Sequence, residues 1–300
     1  MQKLVVLALI GLAAQLVDGS LGMGYGLTSS SLLLMFGIAP AAASASVHLA
    51  EVVTTAASGI SHMRFGNVDK EIVWKLIIPG SVGAFLGATV LSHLPGDVLK
   101  PYISIFLLLL GFYVLFRFIF QYGQNNKANE RNVSKKLFIP LGFIAGFFDA
   151  TGGGGWGPIA TPTLLSKRNL EPRKVIGSVD TSEFAVSLAS SAGFLLSLGV
   201  NEINWIWALA LMIGGMIAAP IAAFLIKIIP SHLLGVIVGG MIILTNVQTL
   251  LKVGNIPDAW IHVIYFAIAL FWVLSLLISI KKHRNLPVQK RNIAKSIHVE

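Results

Sequence analysis

The 300-residue chain contains no cysteine and is poor in charge, with 12% Asp, Glu, Lys and Arg against 55% hydrophobic residues. Lack of cysteine excludes disulfides, thiolate metal sites and a cysteine nucleophile. The seven histidines are dispersed. They show no metal-ligand spacing and no symmetric pairing with a nucleophile, so neither a metal site nor an intramembrane enzyme is indicated, and no cofactor is expected. So little charge at a mean hydropathy of +0.79 could not solvate a globular domain, and the chain reads as an integral membrane protein with the lipid bilayer as a partner. The net charge of +9 raises nucleic acid as a partner. The basic residues sit in short loops and a tail rather than on one amphipathic face, which excludes it.

What is present is an unusual phrase written twice. Asp18 to Gly26 reads DGSLGMGYG and Asp149 to Gly157 reads DATGGGGWG. An aspartate, three glycines (Gly22, Gly24, Gly26 against Gly153, Gly155, Gly157), a small hydroxyl (Ser20, Thr151) and an aromatic (Tyr25, Trp156) recur at the same spacing. An acidic, glycine-dense break in corresponding places of two apolar halves marks the binding site of a transporter. Extended outward, Gly11 pairs with Gly142, Pro40 with Pro172, Glu51 with Glu183 and Trp74 with Trp207. The domains that follow are repeat 1 over 1–120, a polar cytoplasmic linker over 121–136, repeat 2 over 137–252, a final transmembrane helix over 253–280 and a basic cytoplasmic tail over 281–300.

In each half, three segments approach the roughly 20 apolar residues that a bilayer requires: 41–62, 72–91 and 98–120, then 175–198, 203–226 and 232–251. Ahead of each trio lie two arms too short to cross, 4–17 with 27–36 and 137–148 with 158–165, read as half-helices meeting at the glycine motif. Folding each pair as a re-entrant hairpin places 19 of the 22 Lys and Arg residues on one side, the cytoplasmic one by the positive-inside rule. The expectation is therefore an all-α polytopic membrane protein with the N-terminus outside and the C-terminus cytoplasmic. Two inverted-topology repeats each hold a broken, re-entrant half-helix pair and three transmembrane helices, and one C-terminal transmembrane helix follows. With three full spans per half, the halves enter the membrane in opposite senses, the architecture of alternating access.

Polar groups at membrane depth are costly and mark function. His48 and Glu51 stand at i, i+3 on one span, and Asp180 and Glu183 take the matching places on another. The stripes Ser44, His48, Glu51, Thr55 and Asp180, Glu183, Ser187 should face the bundle interior. With Asp18 and Asp149 they form two acidic clusters. One reading makes these acids carriers of protons or of substrate-coupled charge. The other makes them structural, with Asp18 and Asp149 capping half-helices or accepting unwound backbone NH groups. His48 serves equally as a relay or as a hydrogen-bonded structural residue.

Half-helices starting at Leu27 and Pro158 aim positive dipole ends at the breaks, an arrangement suited to an anion. Candidate ligand-binding residues are Gly22, Gly24, Tyr25, Gly26, Thr28, Ser29 and Ser30 in one half. In the other they are Gly153, Gly154, Gly155, Trp156, Gly157 and Thr161. With the motif tips facing a cavity, valine at Gly24 or Gly154 should be tolerated by the fold. Gly80, Gly83, Gly87, Gly235, Gly239 and Gly240 read instead as sites of close helix packing.

The doubled glycine break, the short arm and proline-led helix after it, ASVHLAE from Ala45 to Glu51 and GSVDTSE from Gly177 to Glu183 together resemble the sulfite exporter TauE/SafE family, also called the toluene-sulfonate uptake permease family. The resemblance covers about residues 4–280. It implies a plasma-membrane permease for small sulfur-containing anions such as sulfite or organosulfonates. The competing expectation, from the five intramembrane acids, is a proton- or cation-coupled permease for another anion or a small neutral solute. The oligomeric state is open, a homodimer among the options.

Overall fold

The computed structural model describes residues 2–21, 23–120, 135–165, 172–201, 203–225, 231–254 and 256–284. Gly22, the bulk of the expected linker, the basic residues Lys167 and Arg168, the turn at Lys227 and the tail from residue 285 lie outside the described residues. The described chain is all-helical, with eleven helices: α1 (Gln2–Leu21), α2 (Tyr25–Met35), α3 (Pro40–Arg64), α4 (Lys70–His93), α5 (Gly96–Phe120), α6 (Lys135–Gly152), α7 (Trp156–Leu165), α8 (Pro172–Leu198), α9 (Trp205–Leu225), α10 (Ser231–Val253) and α11 (Asp258–Arg284).

Local chemistry fixes several helix ends. Pro40 opens α3 after the extended residue Ala39, where its missing NH costs nothing. Asp69 caps α4 by accepting the NH of Glu71 at 2.9 Å and of Ile72 at 3.4 Å. The glycine breaks behave differently from the expectation. α1 and α6 do not stop before the aspartates but run through them to Leu21 and Gly152, giving helices of 20 and 18 residues. At 1.5 Å per residue these are about 27–30 Å long, so only α2 and α7, with 11 and 10 residues, are short. The second arms also begin two residues earlier than expected, at Tyr25 and Trp156 rather than Leu27 and Pro158. The reason is that one carboxylate oxygen of each aspartate reaches forward to backbone NH at the start of the next helix, so it finds partners without unwinding its own helix.

Among the described residues five helices are long and apolar enough to cross a bilayer, covering Lys70–His93, Gly96–Phe120, Lys174–Leu198, Gly235–Val253 and Trp260–Lys282, where the sequence suggested seven. α3 has the length, at 25 residues, but its buried side carries Ser44, Ser46, His48, Glu51, Thr54 and Thr55. That side packs on α8 and α9. α9 contributes a shorter apolar stretch, Trp205–Ala218, among the described residues. α11 is the most lipid-like helix, with only 11% of its apolar window buried.

Long helix pairs cross between the halves: α1 lies along α9, and α6 lies along α4, while α3 packs on α8 and α5 on α10. Small residues permit this closeness, since helices in lipid associate through van der Waals packing rather than a hydrophobic driving force. Gly83 and Gly87 of α4 abut the carbonyls of Phe143 and Phe147 on α6, and Gly11 of α1 abuts the carbonyl of Leu211 on α9. On α10, Gly235, Gly239 and Gly240 receive Phe118, Leu115 and Trp272, the packing role their spacing suggests. Lys174 Nζ donates to the carbonyls of Gly66 at 2.7 Å and Val68 at 3.1 Å. Lys282 Nζ donates to those of Ile119 and Phe120 at 3.1 and 3.0 Å. The first pair of contacts ties the α3–α4 turn to the start of α8, and the second ties the end of α5 to that of α11.

A side chain at Gly83 would overlap a backbone carbonyl that cannot step aside. Gly83→Leu should therefore lower stability by about 1–3 kcal/mol, seen as a depressed melting temperature in detergent. Gly96→Ala, where a Cβ would meet Pro40 Cδ at an ordinary 3.4 Å, should melt as the wild type does.

Candidate functional site

The two glycine breaks meet at the centre of the bundle. Asp149 Oδ1 accepts the NH of Gly155 at 2.7 Å and of Trp156 at 2.9 Å, and Asp18 Oδ1 accepts the NH of Tyr25 at 3.3 Å. Each aspartate thus sits in the last turn of one helix and caps the first turn of the next, where the helix dipole favours a carboxylate. Between them the chain turns through Gly24 at φ 120° and Gly153 at φ 68°, conformations open to glycine and strained for other residues. The tips touch backbone to backbone. A Cβ on Gly26 would lie 2.5 Å from the carbonyl oxygen of Gly153 and 2.8 Å from Glu51 Oε1, and one on Gly154 would overlap the NH of Leu27. The expectation that valine at Gly24 or Gly154 leaves the fold intact is therefore wrong: Gly154 meets the opposite tip rather than a cavity, and Gly24 holds a positive φ with Val17 3.3 Å from where a Cβ would stand.

The hydroxyls divide into two groups. Ser30 Oγ donates across to Gly153 O at 2.7 Å and Ser44 Oγ to Ala150 O at 2.6 Å, lashing the second break to α2 and α3. Ser29 Oγ is used within its own helix, on Tyr25 O at 2.5 Å. Thr28 and Thr161 are wholly buried, and their hydroxyls have no hydrogen-bond partner among the described residues. The motif aromatics are anchors: Tyr25 Oη donates to Leu211 O at 3.3 Å and Trp156 Nε1 to Val179 O at 3.0 Å. Tyr25 rests on Gly215 of α9 and Trp156 on Gly80 of α4. Gly157 is buried in the first turn of α7, and a Cβ on Gly155 would press on the NH of Asp149 at 2.9 Å.

Against the breaks lies an acidic centre. His48 Nδ1 is 2.8 Å from Glu51 Oε2 and 3.9 Å from Asp149 Oδ2, and His48 Nε2 lies 3.3 Å from the carbonyl of Asp149. A carbonyl only accepts, so that contact assigns the hydrogen to Nε2 and turns Nδ1 towards Glu51. Ser187 of α8 donates to Glu51 Oε2 at 3.3 Å. Glu51 Oε1 and Asp149 Oδ2 are buried with no hydrogen-bond partner among the described residues. His48, Glu51 and Asp149 offer ligand atoms within 4.8 Å of one another, but a 2.8 Å contact is what a proton shared between Nδ1 and Oε2 produces, with no ion required. The two acidic clusters expected from the sequence are not alike: Asp180 is turned to His62 Nε2 at 3.8 Å, whereas Glu183 is partly buried one helical turn further along α8.

Sequence reasoning overlooked His62 and Asn246. Asn246, wholly buried in α10, donates to Ser31 Oγ at 2.8 Å and to Ile242 O at 2.8 Å. Its signal was a lone amide inside an apolar run. Beside the second break Ser30, Ser44, Ile103, Thr151 and Gly152 line a narrow crevice with no room for a water molecule, far short of the roughly 300–1,000 Å³ of small-molecule sites.

Apolar helices crossing between halves, with broken helices and buried acids meeting at the centre, define a multi-pass membrane transporter. Residues 7–249 match the sulfite exporter TauE/SafE family, and the chain belongs to it. It is 60% identical over 296 residues, 99% of this chain and 97% of the relative, to a probable membrane transporter protein, YtnM, of Bacillus subtilis. It is 25% identical over 221 residues, 73% of this chain and 84% of the relative, to a probable membrane transporter protein of Haemophilus influenzae. No solved structure matches it significantly.

Because Asp149 serves two NH groups and Asp18 one, removing the caps should have unequal effects. Asp149→Ala should destabilise by about 1.5–3 kcal/mol, the range for hydrogen bonds to charged groups, and Asp18→Ala by less. Melting of the two purified variants side by side decides it, and equal losses would contradict the capping geometry.

Proposed function

We propose that the protein is a plasma-membrane secondary transporter for small sulfur-containing anions, sulfite or organosulfonates, coupled to protons and working by alternating access of two inverted repeats. Binding falls to Gly24, Gly26, Thr28 and Ser30 in one break, and to Gly153 to Gly157 and Thr161 in the other, with Glu51, His48, Asp149, Asp18 and Glu183 holding the coupling charge. The observation that carries this reading is the capping of both half-helix N-termini by carboxylates, one of which, Asp149, lies beside a buried His48–Glu51 pair. An N-terminus that holds a carboxylate holds an anion surrogate. A substrate anion competes with Asp149 and Asp18 for the same NH groups, and protonating the carboxylate releases those groups. Proton and anion then enter together.

The family's name supports the sulfur anion, and the small crevice supports a closed conformation in which the touching breaks must part before a substrate can sit between them. The swapped packing of α1 on α9 and α6 on α4 supports two related halves, and the contacts of Lys174 and Lys282 support one basic, cytoplasmic face. A carrier of cations or neutral solutes has one observation in its favour: the same NH groups are already occupied by acids.

In proteoliposomes, sulfite and an organosulfonate should exchange across the membrane. Asp149→Asn, fixed in the neutral state, should keep exchange while losing pH-driven accumulation. Accumulation of neutral solutes with no movement of either anion would reject the anion assignment. Orientation is tested separately with single cysteines: those at Asn129 and Asn169 should be protected from an impermeant thiol reagent outside, and one at Asn201 should react. Outside labelling at Asn169 with Asn129 protected would reject the inverted repeat.

A further inference from the structure

α3 and α8 run antiparallel and bring Glu51 to Ser187, Gly59 to Thr181 and His62 to Asp180. Along α3, Glu51, Thr55, Ser58 and His62 follow one another at steps of three or four residues, and so do Asp180, Glu183 and Ser187 along α8. Each row therefore occupies one face of its helix. The rows make a polar seam: Ser187 Oγ donates to Glu51 Oε2 at 3.3 Å, and Asp180 Oδ2 lies 3.8 Å from His62 Nε2. Glu183 lies one turn from both Asp180 and Ser187.

The ends of the seam are related by position but opposite in chemistry. His62 stands fourteen residues beyond His48, and Phe194 stands fourteen beyond Asp180, the residue matching His48. Phe194 is wholly buried and stacks on His48, ring centroids 6.2 Å apart, so an apolar ring closes that end. His62, in the last turn of α3, is 27% exposed and reaches Asp180, which is 5% exposed. One end is sealed, and the other opens through an imidazole, whose two ring nitrogens give it one edge for Asp180 and one for solvent.

We propose that the α3–α8 seam is a one-sided proton path that enters at His62 and passes Asp180, Glu183 and Ser187 to Glu51, with Phe194 sealing the far end. His62 takes a proton from water on one ring nitrogen and yields one to Asp180 Oδ2, returning to neutral imidazole. Glu183 receives it one turn further in, and the Ser187 hydroxyl then takes that proton as it gives its own to Glu51 Oε2, beside His48. The titratable groups facing this route are His48, Glu51 and His62 on α3, Asp18 on α1, Asp149 on α6, and Asp180 and Glu183 on α8. The path rests on the proton-coupled reading and supplies it with a direction. The open end lies where α3 finishes and α8 begins, the end held together by Lys174, so coupling protons exchange with the basic face only.

The test uses the full-length protein in vesicles of uniform orientation, without substrate. A pH step is imposed on one face at a time, and infrared difference spectroscopy follows carboxyl protonation, with Glu51→Gln identifying the Glu51 band. The Glu51 band should respond to a step on the His62 face and not to one on the opposite face. His62→Phe and His62→Gln should each slow the response about a hundredfold, in keeping with the loss of a positioned acid–base group. Glutamine preserves polarity at this rim position, so the measurement survives a folding defect in the phenylalanine variant. A Glu51 band that follows the opposite face, follows neither face, or keeps the wild-type rate in His62→Gln overturns the path. No substrate takes part, so this failure is distinct from a failure of sulfite uptake.

Discussion

Irregular backbone inside an apolar bundle must find its hydrogen-bond partners within the protein, because lipid offers none. Two such stretches meet here, and much of the central architecture answers that requirement. Asp18 and Asp149 accept the first NH groups of α2 and α7, and hydroxyls of Ser30 and Ser44 serve carbonyls of the second break. Glycine at 26 and 154 lets the two tips come within backbone contact. The acids are thus structural parts of the break as well as candidates for charge movement, and the two roles share the same atoms.

The surrounding helices hold the tips together. Tyr25 and Trp156 leave the breaks in order to dock on α9 and α4, the very helices along which α1 and α6 lie. Each break is therefore clamped to the opposite half, and parting the tips would move the long helices with them. Buried polar pairs add a second link. Glu51 is held by His48 on its own helix and by Ser187 across the α3–α8 boundary, so a change in its charge is felt where the halves join.

The resemblance to the sulfite exporter family, visible in the doubled motif, agrees with the match over residues 7–249. That match stops within α10, leaving α11 outside it. α11 touches the bundle chiefly through α10, where Trp272 fills the notch at Gly240.

The sequence by itself determined the membrane class, the all-helical fold, the two breaks and the acids beside them, because hydropathy, glycine density and helical spacing are local properties of the chain. It misjudged helix lengths at Asp18 and Asp149, since a polar residue looks like an interruption until a partner for it appears. It counted α3 among seven full spans, because its length was plain, whereas the polar residues on its buried side keep it out of the helices apolar enough to cross a bilayer. Only the tertiary structure decided that the tips touch, that Tyr25 and Trp156 are anchors, that Asp180 turns to His62 and that Ser187 reaches Glu51. Those are contacts between residues tens to more than a hundred positions apart, chosen by how antiparallel helices slide into register, and helical periodicity within one segment carries no record of that choice.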